Sequence, residues 1–211
     1  MATPNVKLDI KSNIKQFTKG LNKVGKSQIP FALNKSIANT VFKLKDVGQK
    51  EMVKKIDRPT KYTQNSIRYE APKNKKALPI GYVYFTPEVT KYLKYSIEGG
   101  MRPYKKGRVL PTTNSRLDAF GNVPQHRNII SKSRAMNNRF VTDKGIFQRK
   151  KGGRAKLLYI FEKRALKYKK IFPFYETMIK RSGKIFDYYF KNNLTKAIDK
   201  TNELIAKGVL R

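Results

Sequence analysis

Leu78-Pro79-Ile80-Gly81-Tyr82-Val83-Tyr84-Phe85 and Lys156-Leu157-Leu158-Tyr159-Ile160-Phe161 are the two stretches on which the fold turns. Each is short, apolar at successive positions and rich in aromatic or β-branched residues, the composition of a central strand that must be covered on both faces. The cover lies on either side in sequence. From Ser27 onward, Ile29, Leu33, Ile37, Val41, Leu44, Met52 and Ile56 recur at helical spacing with lysines on the opposite face, which predicts a core-facing helix. Arg58-Pro59 closes it, because a residue before proline is pushed out of the helical region. Near the other end, Pro173 suits a first helical turn, and Tyr175, Met178, Ile179, Phe186, Tyr189, Phe190, Ala197, Ile198 and Ile205 predict a long helix, weakened or bent near Gly183. The expectation is an α+β fold, a small mixed or antiparallel sheet packed by a long N-terminal and a long C-terminal helix. A length of 211 residues suits one domain, 1–211.

Weaker signals fill in the rest. Val6, Leu8 and Ile10 alternate as in an edge strand, and Ile14, Phe17, Leu21 and Val24 predict a short helix ended by Gly25, so that 1–25 reads as an N-terminal arm. Arg68–Ala71 and Gly145–Arg149 are lesser strand candidates. Pro87–Ile97 reads as a helix stopped by Gly99-Gly100.

Between Gly99 and Lys156 stand fifteen Lys or Arg and only Asp118 and Asp143 as acids, interleaved with Gly, Pro and Asn. This stretch is expected as a long basic irregular loop inserted at 99–156, since such segments in compact domains are usually functional. Its apolar residues are Val109, Leu110, Leu117, Phe120, Ile129, Ile130 and Phe140. They read as too sparse for a core of their own and are expected to order against a neighbouring subunit.

The charge sets the class of partner. With 48 Lys plus Arg against 14 Asp plus Glu, the net charge is +34, spread through segments that also carry the apolar residues. A body so positive repels itself and calls for a polyanion or acidic protein neighbours. Other chemistries are poorly provided for. There is no Cys and one His, which removes disulfides, thiolate sites and Cys nucleophiles and leaves little for zinc. His126 sits in a basic loop, and no Gly-x-Ser-x-Gly elbow accompanies it. Lys151-Gly152-Gly153-Arg154 and Gly99-Gly100 read as turns, because neither has the spacing of a nucleotide cradle. Single, scattered acids propose neither a general acid and base nor a hard-metal site. The reading is of no enzyme, no metal and no cofactor. No apolar run reaches the roughly 20 residues that span a bilayer. Met1–Lys11 lacks a signal-peptide core, so a soluble protein made in the cytoplasm is expected.

Two basic clusters flank glycines: Arg102, Lys105, Lys106 and Arg108, and Lys144, Arg149, Lys150, Lys151, Arg154 and Lys156. Any one of them is ordinarily a solvated surface cation. Together they can follow a phosphate backbone without reading bases, which makes them the candidate contacts to double-stranded DNA. Tyr82, Tyr84, Tyr92, Tyr95 and Tyr104 are able to stack on bases, although tyrosines of helices and strands more often fill a core.

The series Tyr95-Ser96-Ile97-Glu98-Gly99-Gly100-Met101-Arg102-Pro103, Val109-Leu110-Pro111 and Phe120-Gly121-Asn122-Val123-Pro124 resembles the middle of tailed-bacteriophage minor tail proteins of the lambda protein Z type. Arg139-Phe140, Gly145–Arg149, Leu157–Phe161, Ala165, Tyr168-Lys169 and Phe172-Pro173-Phe174 continue in the order such proteins show, and Phe31–Ser36 resembles their opening helix. The resemblance implies a non-enzymatic virion component at the head–tail junction, a tail-completion, neck or adaptor ring around the DNA channel. It implies as partners further copies of the chain, with a hexamer expected, together with portal, adaptor or tail proteins bearing acidic faces, and the packaged DNA. Glu98, Gly99, Gly100, Val109, Leu110, Phe120 and Phe140 are the candidate subunit contacts. The lysine content is higher than is typical of that family. A sequence-independent nucleic-acid-binding protein of the ribosome-associated or chromosome-coating kind is the competing expectation, and a small nuclease is a third, disfavoured by the lack of paired acids.

Overall fold

A computed structural model describes residues 6–8, 23–73, 79–105, 108–124 and 128–207. The fold is α+β, with three small antiparallel sheets and long helices toward both ends. The contacts divide the chain into two compact units where a single domain was expected: 1–55 with 61–93 and 172–211, and 56–60 with 94–171.

The larger unit is built on two helices, α1 (Lys23–Lys55) and α5 (Phe174–Ala206). Asn193 Nδ2 donates to Ser36 Oγ at 3.0 Å, and Arg181 Nη2 meets Glu51 Oε1 at 3.1 Å, so the two run antiparallel. The predicted stripe is the inward face of α1, with Ile29, Leu33, Ile37, Val41, Leu44 and Met52 all buried. Ala32, Ser36 and Thr40 add a fully buried row of small side chains at every fourth position. The two hydroxyls are satisfied within the helix by the carbonyls four residues back. The helix begins earlier than expected. It runs through Gly25 and Ser27, so Gly25 does not end a separate helix, and it holds Pro30 in an early turn. Of the rest of the expected arm, Val6–Leu8 form an edge strand, while Ile10, Ile14, Phe17 and Leu21 lie outside the described residues.

Strand β3 (Gly81–Phe85) is the centre of a three-stranded sheet between β1 (Val6–Leu8) and β2 (Ile67–Glu70), preceded by the single-turn α2 (Lys61–Gln64). Leu78 lies outside the described residues. Gly81, Val83 and Phe85 are buried, but Tyr82 and Tyr84 are only half covered, so one face of β3 is sealed and not both as expected. The sealed face lies close on α1. A Cβ on Gly81 would stand 2.6 Å from Val41 Cγ1 and 2.9 Å from Ile37 Cγ2. Phe85, Phe172 and Phe174 cluster beneath, with ring centroids 4.5 Å apart for Phe85–Phe174 and 5.7 Å for Phe172–Phe174. Helix α3 (Pro87–Glu98) buries Val89 and Leu93, and the division between the units falls within it.

On α5 the inward line is Phe174, Met178, Asn193, Ala197 and Thr201, so Ile179 and Ile198, one residue further round the helix, are exposed. The helix continues through Gly183 without interruption.

The smaller unit corrects the reading of 99–156 as an irregular loop. It holds β4 (Gly100–Arg102), β5 (Val109–Pro111), the short α4 (Ile129–Ala135), β6 (Arg139–Val141), β7 (Gly145–Lys150), β8 (Gly153–Phe161) and β9 (Leu166–Tyr168). β4 pairs with β9, and the other four strands form a sheet in the order β5-β8-β7-β6. Nor are the apolar residues too sparse for a core. Ile129 is buried with Ile146, Leu158 and Tyr159, and Val109, Ile130, Val141 and Phe161 pack around them. Ile146 pairs with Tyr159 but Phe147 with Leu157, so Leu158 is the extra residue of a β-bulge. That explains how Leu158 and Tyr159, neighbours in sequence, are both buried. Among the described residues the longest irregular stretch of the segment follows β5, and its start serves the bulge. The Thr112 amide donates to the Leu158 carbonyl at 2.9 Å, and Asn114 Nδ2 donates to that of Leu157 at 3.2 Å.

Two glycine substitutions should move stability in opposite directions. Gly81→Ala forces the α1–β3 contact apart and is expected to cost about 1–3 kcal/mol. Gly183→Ala, whose Cβ meets nothing within 4 Å, is expected to add up to ~1 kcal/mol of helix propensity. Urea midpoints of the two variants check both signs.

Candidate nucleic-acid interface

Five of the six cations of the second basic cluster, Arg149, Lys150, Lys151, Arg154 and Lys156, gather at the tip of the β7–β8 hairpin; Lys144 lies at its opposite end, where its carbonyl accepts from the Phe161 amide at 3.2 Å. Lys150 pairs with Gly153, leaving Lys151 and Gly152 as a two-residue turn, and Gly152 takes the left-handed conformation at φ 68°. Gln148 pairs with Lys156, so three residue steps on β8 oppose two on β7, and Arg149 stands opposite a second irregularity at Arg154-Ala155. Both irregularities lie on β8, where each adds local twist and re-aims side chains.

Lys144, Arg149, Lys150, Lys151, Arg154 and Lys156 are all exposed. No Asp or Glu occurs from Lys144 to Phe161. Like charges opposed across a ribbon repel, so the tip is folded at an electrostatic cost that an anion would relieve. Arg149 is braced from behind. Its Nη1 donates to the Asn137 carbonyl at 3.0 Å, and its guanidinium lies 5.6 Å from the Phe140 ring, which stacks in turn on Phe147 at 5.3 Å. Phe140, a candidate subunit contact, is thus engaged in holding the hairpin.

The first cluster does not join this one. Arg108 precedes β5, and its Nη1 contacts both carboxylate oxygens of Glu162, at 2.9 and 2.8 Å, where the Glu162 side chain is 1% exposed and that of Arg108 19%. Glu162 follows β8 at the end away from the hairpin tip, nine residues from Gly153, a strand length of roughly 25–30 Å. Arg102 donates from Nη1 to the Tyr168 hydroxyl at 3.2 Å. Lys105 is exposed, and Lys106 lies outside the described residues.

The remaining candidate contacts also separate. Val109 belongs to the core of this unit and Leu110 is half-buried in β5. Glu98 and Gly100 are exposed; Gly99 and Gly100 turn the chain out of α3 with φ of 77° and 107°. Phe120 is 44% exposed on a loop closed by Asp118, whose Oδ1 accepts from the amides of Phe120 and Asn122 at 2.9 and 2.8 Å. Gly121 of that loop lies against the Arg58 guanidinium, and hydrogen bonds from Arg58 hold the Asp57 carboxyl below its ordinary range.

The chain matches no protein-family model, no curated protein and no solved structure. Among the described residues no helix is long and apolar enough to cross a membrane, and no three His, Cys, Asp or Glu gather as metal ligands. His126 lies outside them. Lys151-Gly152-Gly153-Arg154 is a turn as expected, but the strands run closer to it than the apolar pattern implied, Lys150 and Gly153 already pairing, so it is the tip of a hairpin and not part of a loop.

Arg108→Ala should leave the Glu162 carboxylate buried without its cation, at a cost of about 3–5 kcal/mol. Lys105→Ala and Lys144→Ala should stay within about 0.5 kcal/mol of the parent. Thermal unfolding of the three variants distinguishes a structural arginine from exposed cations.

Proposed function

We propose that this chain is a structural protein that holds double-stranded DNA without reading its sequence, stationed at the head–tail junction of a tailed phage. The observation that carries the DNA contact is the β7–β8 tip, a two-stranded ribbon with five cations between Arg149 and Lys156 and no acid. A β-ribbon has the dimensions to enter a major groove or lie along its walls. Its exposed side chains are lysines and arginines on a short turn, suited to phosphate oxygens, and between Arg149 and Lys156 there is no Asn or Gln to read an adenine edge. The station at the junction is supported by the ordered series of residues from Tyr95 to Phe174, with Phe31–Ser36, that resembles the lambda protein Z type.

The charge shapes the assembly. The smaller unit carries 22 Lys and Arg against five Asp and Glu, the larger 26 against nine, so each holds +17. A six-membered ring would carry about +200, six times the +34 of one chain. A duplex segment 40 Å long offers only about 24 phosphate charges, one per ~1.7 Å of axis. DNA alone cannot neutralise such a ring. Acidic faces of portal, adaptor or tail proteins must take part, and the free chain is expected to stay monomeric. Mass photometry at moderate salt checks this; a closed ring without DNA or an acidic partner would refute it.

DNA binding should be steeply salt-dependent. With about five phosphates contacted, affinity should fall by roughly 500-fold between 50 and 200 mM salt. Reversing Lys150, Lys151 and Arg154 to Glu should lower the slope of log K against log salt by about 3 and weaken all duplex sequences alike. Filter binding on two unrelated duplexes measures both. Binding that is indifferent to salt, or to these three changes, rules the hairpin out.

A further inference from the structure

The larger unit carries a separate surface that suits an anionic partner of a different kind. β2 is an edge strand: among the described residues its ladder partner is β3 alone. The Thr86 amide donates to the Ser66 carbonyl at 2.9 Å. By the alternation of an antiparallel ladder, Arg68 and Glu70 then exchange bonds with β3, while the backbone groups of Ile67 and Tyr69 point to the open edge. Beside that edge lies a groove of about 520 Å³, lined among others by Lys45, Arg68, Tyr69, Glu70 and Lys73.

The groove, together with Phe42 packed beside its Tyr69, combines two recognition elements. Tyr69 and Phe42, 39% and 48% exposed, meet edge to face at 5.5 Å, with Lys45 Nζ 5.8 Å from the Phe42 ring. Three cations form its walls, and its one acid is already engaged, since Glu70 accepts from the Tyr84 hydroxyl at 3.2 Å and pairs with Lys73 at 3.9 Å.

We propose that the β2 edge takes an extended acidic segment of a partner protein as an added strand, its carboxylates on Lys45, Arg68 and Lys73 and an apolar side chain on Phe42 and Tyr69. Two features select this occupant. An open strand edge presents alternating donors and acceptors, and a peptide backbone answers both, whereas a phosphate backbone supplies acceptors alone. A second copy of this chain brings +34 to a cationic groove and is repelled. Natural proteins protect such edges with lysine; here the protecting cations also select the charge of the partner.

The proposal does not depend on DNA binding by the hairpin, and its test keeps the two apart. The full chain carrying Lys150→Glu, Lys151→Glu and Arg154→Glu is titrated by fluorescence anisotropy against a labelled octapeptide of alternating Glu and Val. A second probe is the same peptide N-methylated at alternate residues, which keeps the charge and blocks strand pairing. The unmodified peptide should bind, the methylated one at least about tenfold more weakly, as expected for several lost backbone bonds. Arg68→Glu and Lys45→Glu should each weaken it by a similar factor with circular dichroism unchanged. Tyr69→Pro, which removes an outward amide that β3 does not use, should do the same. Equal binding of the two peptides, no binding of either, or displacement of the peptide by a single-stranded oligonucleotide at equal concentration would overturn the proposal.

Discussion

Fourteen carboxylates for 48 cations is the constraint to which both units answer. A cation can be buried only with a partner, and partners are scarce, so the cores are made of neutral side chains and the charge is pushed outward. Among the described residues of the larger unit the buried polar groups are Ser36, Thr40, Thr63, Ser66, Asn193 and Thr201, all uncharged, and they settle their hydrogen bonds locally, with one another or with Tyr92. In the smaller unit Glu162 is buried and draws Arg108 to it. The exposed cations remain on strand ends, turns and outer helix faces, where they set what can approach.

The same constraint decided what could be read in advance. The stripe on α1 was legible because its inward positions are apolar at near-regular fourfold spacing and its outward positions are mostly lysine. β3 and β8 were legible from composition. The inward line of α5 was less so: Asn193 and Thr201 lie on it because Ser36 and the Ala197 carbonyl satisfy them, and polarity alone placed them outside. The ladders of 99–156 were hidden by β8 itself, whose two irregularities break strict alternation, so that Leu158 and Tyr159 are both inward and Ile160 is exposed. The Arg108–Glu162 pair joins residues 54 positions apart, and without it Arg108 is indistinguishable in sequence from Lys105. Five of the cations grouped by sequence do form one object, the hairpin tip; the rest, Lys144 among them, were united only by proximity along the chain.

The bulges tie the core of the smaller unit to its tip. The first sets Leu158 and Tyr159 together in the core, with the carbonyls of Leu157 and Leu158 taken up by the residues after β5. The second lies where Arg149 meets Arg154-Ala155. Between them β7 and β8 stay paired, and Phe140 and Phe147 stack behind Arg149. A cationic turn of this kind repels itself in any conformation, so a rigid base matters more than it does for a neutral hairpin. Rigidity also lowers the ordering cost on binding, since fewer rotamers are lost when the ribbon is already held in place.

The two anion-directed surfaces proposed for this chain would have a consequence for assembly that neither has alone. The hairpin offers charge without shape, and phosphate contacts of that type are weak at physiological salt and sequence-blind. The β2 edge offers a fixed pattern of donors and acceptors over four residues, enough for specificity but a small area for affinity. Where a DNA segment and an acidic partner are themselves held together, as in a particle, engagement of one raises the effective concentration of the other, and overall avidity can exceed either affinity by roughly 10²–10⁴. A chain that self-repels in solution would then accumulate where both anions are already juxtaposed. On that proposal its net charge would suppress self-association elsewhere and, at that place, would hold it.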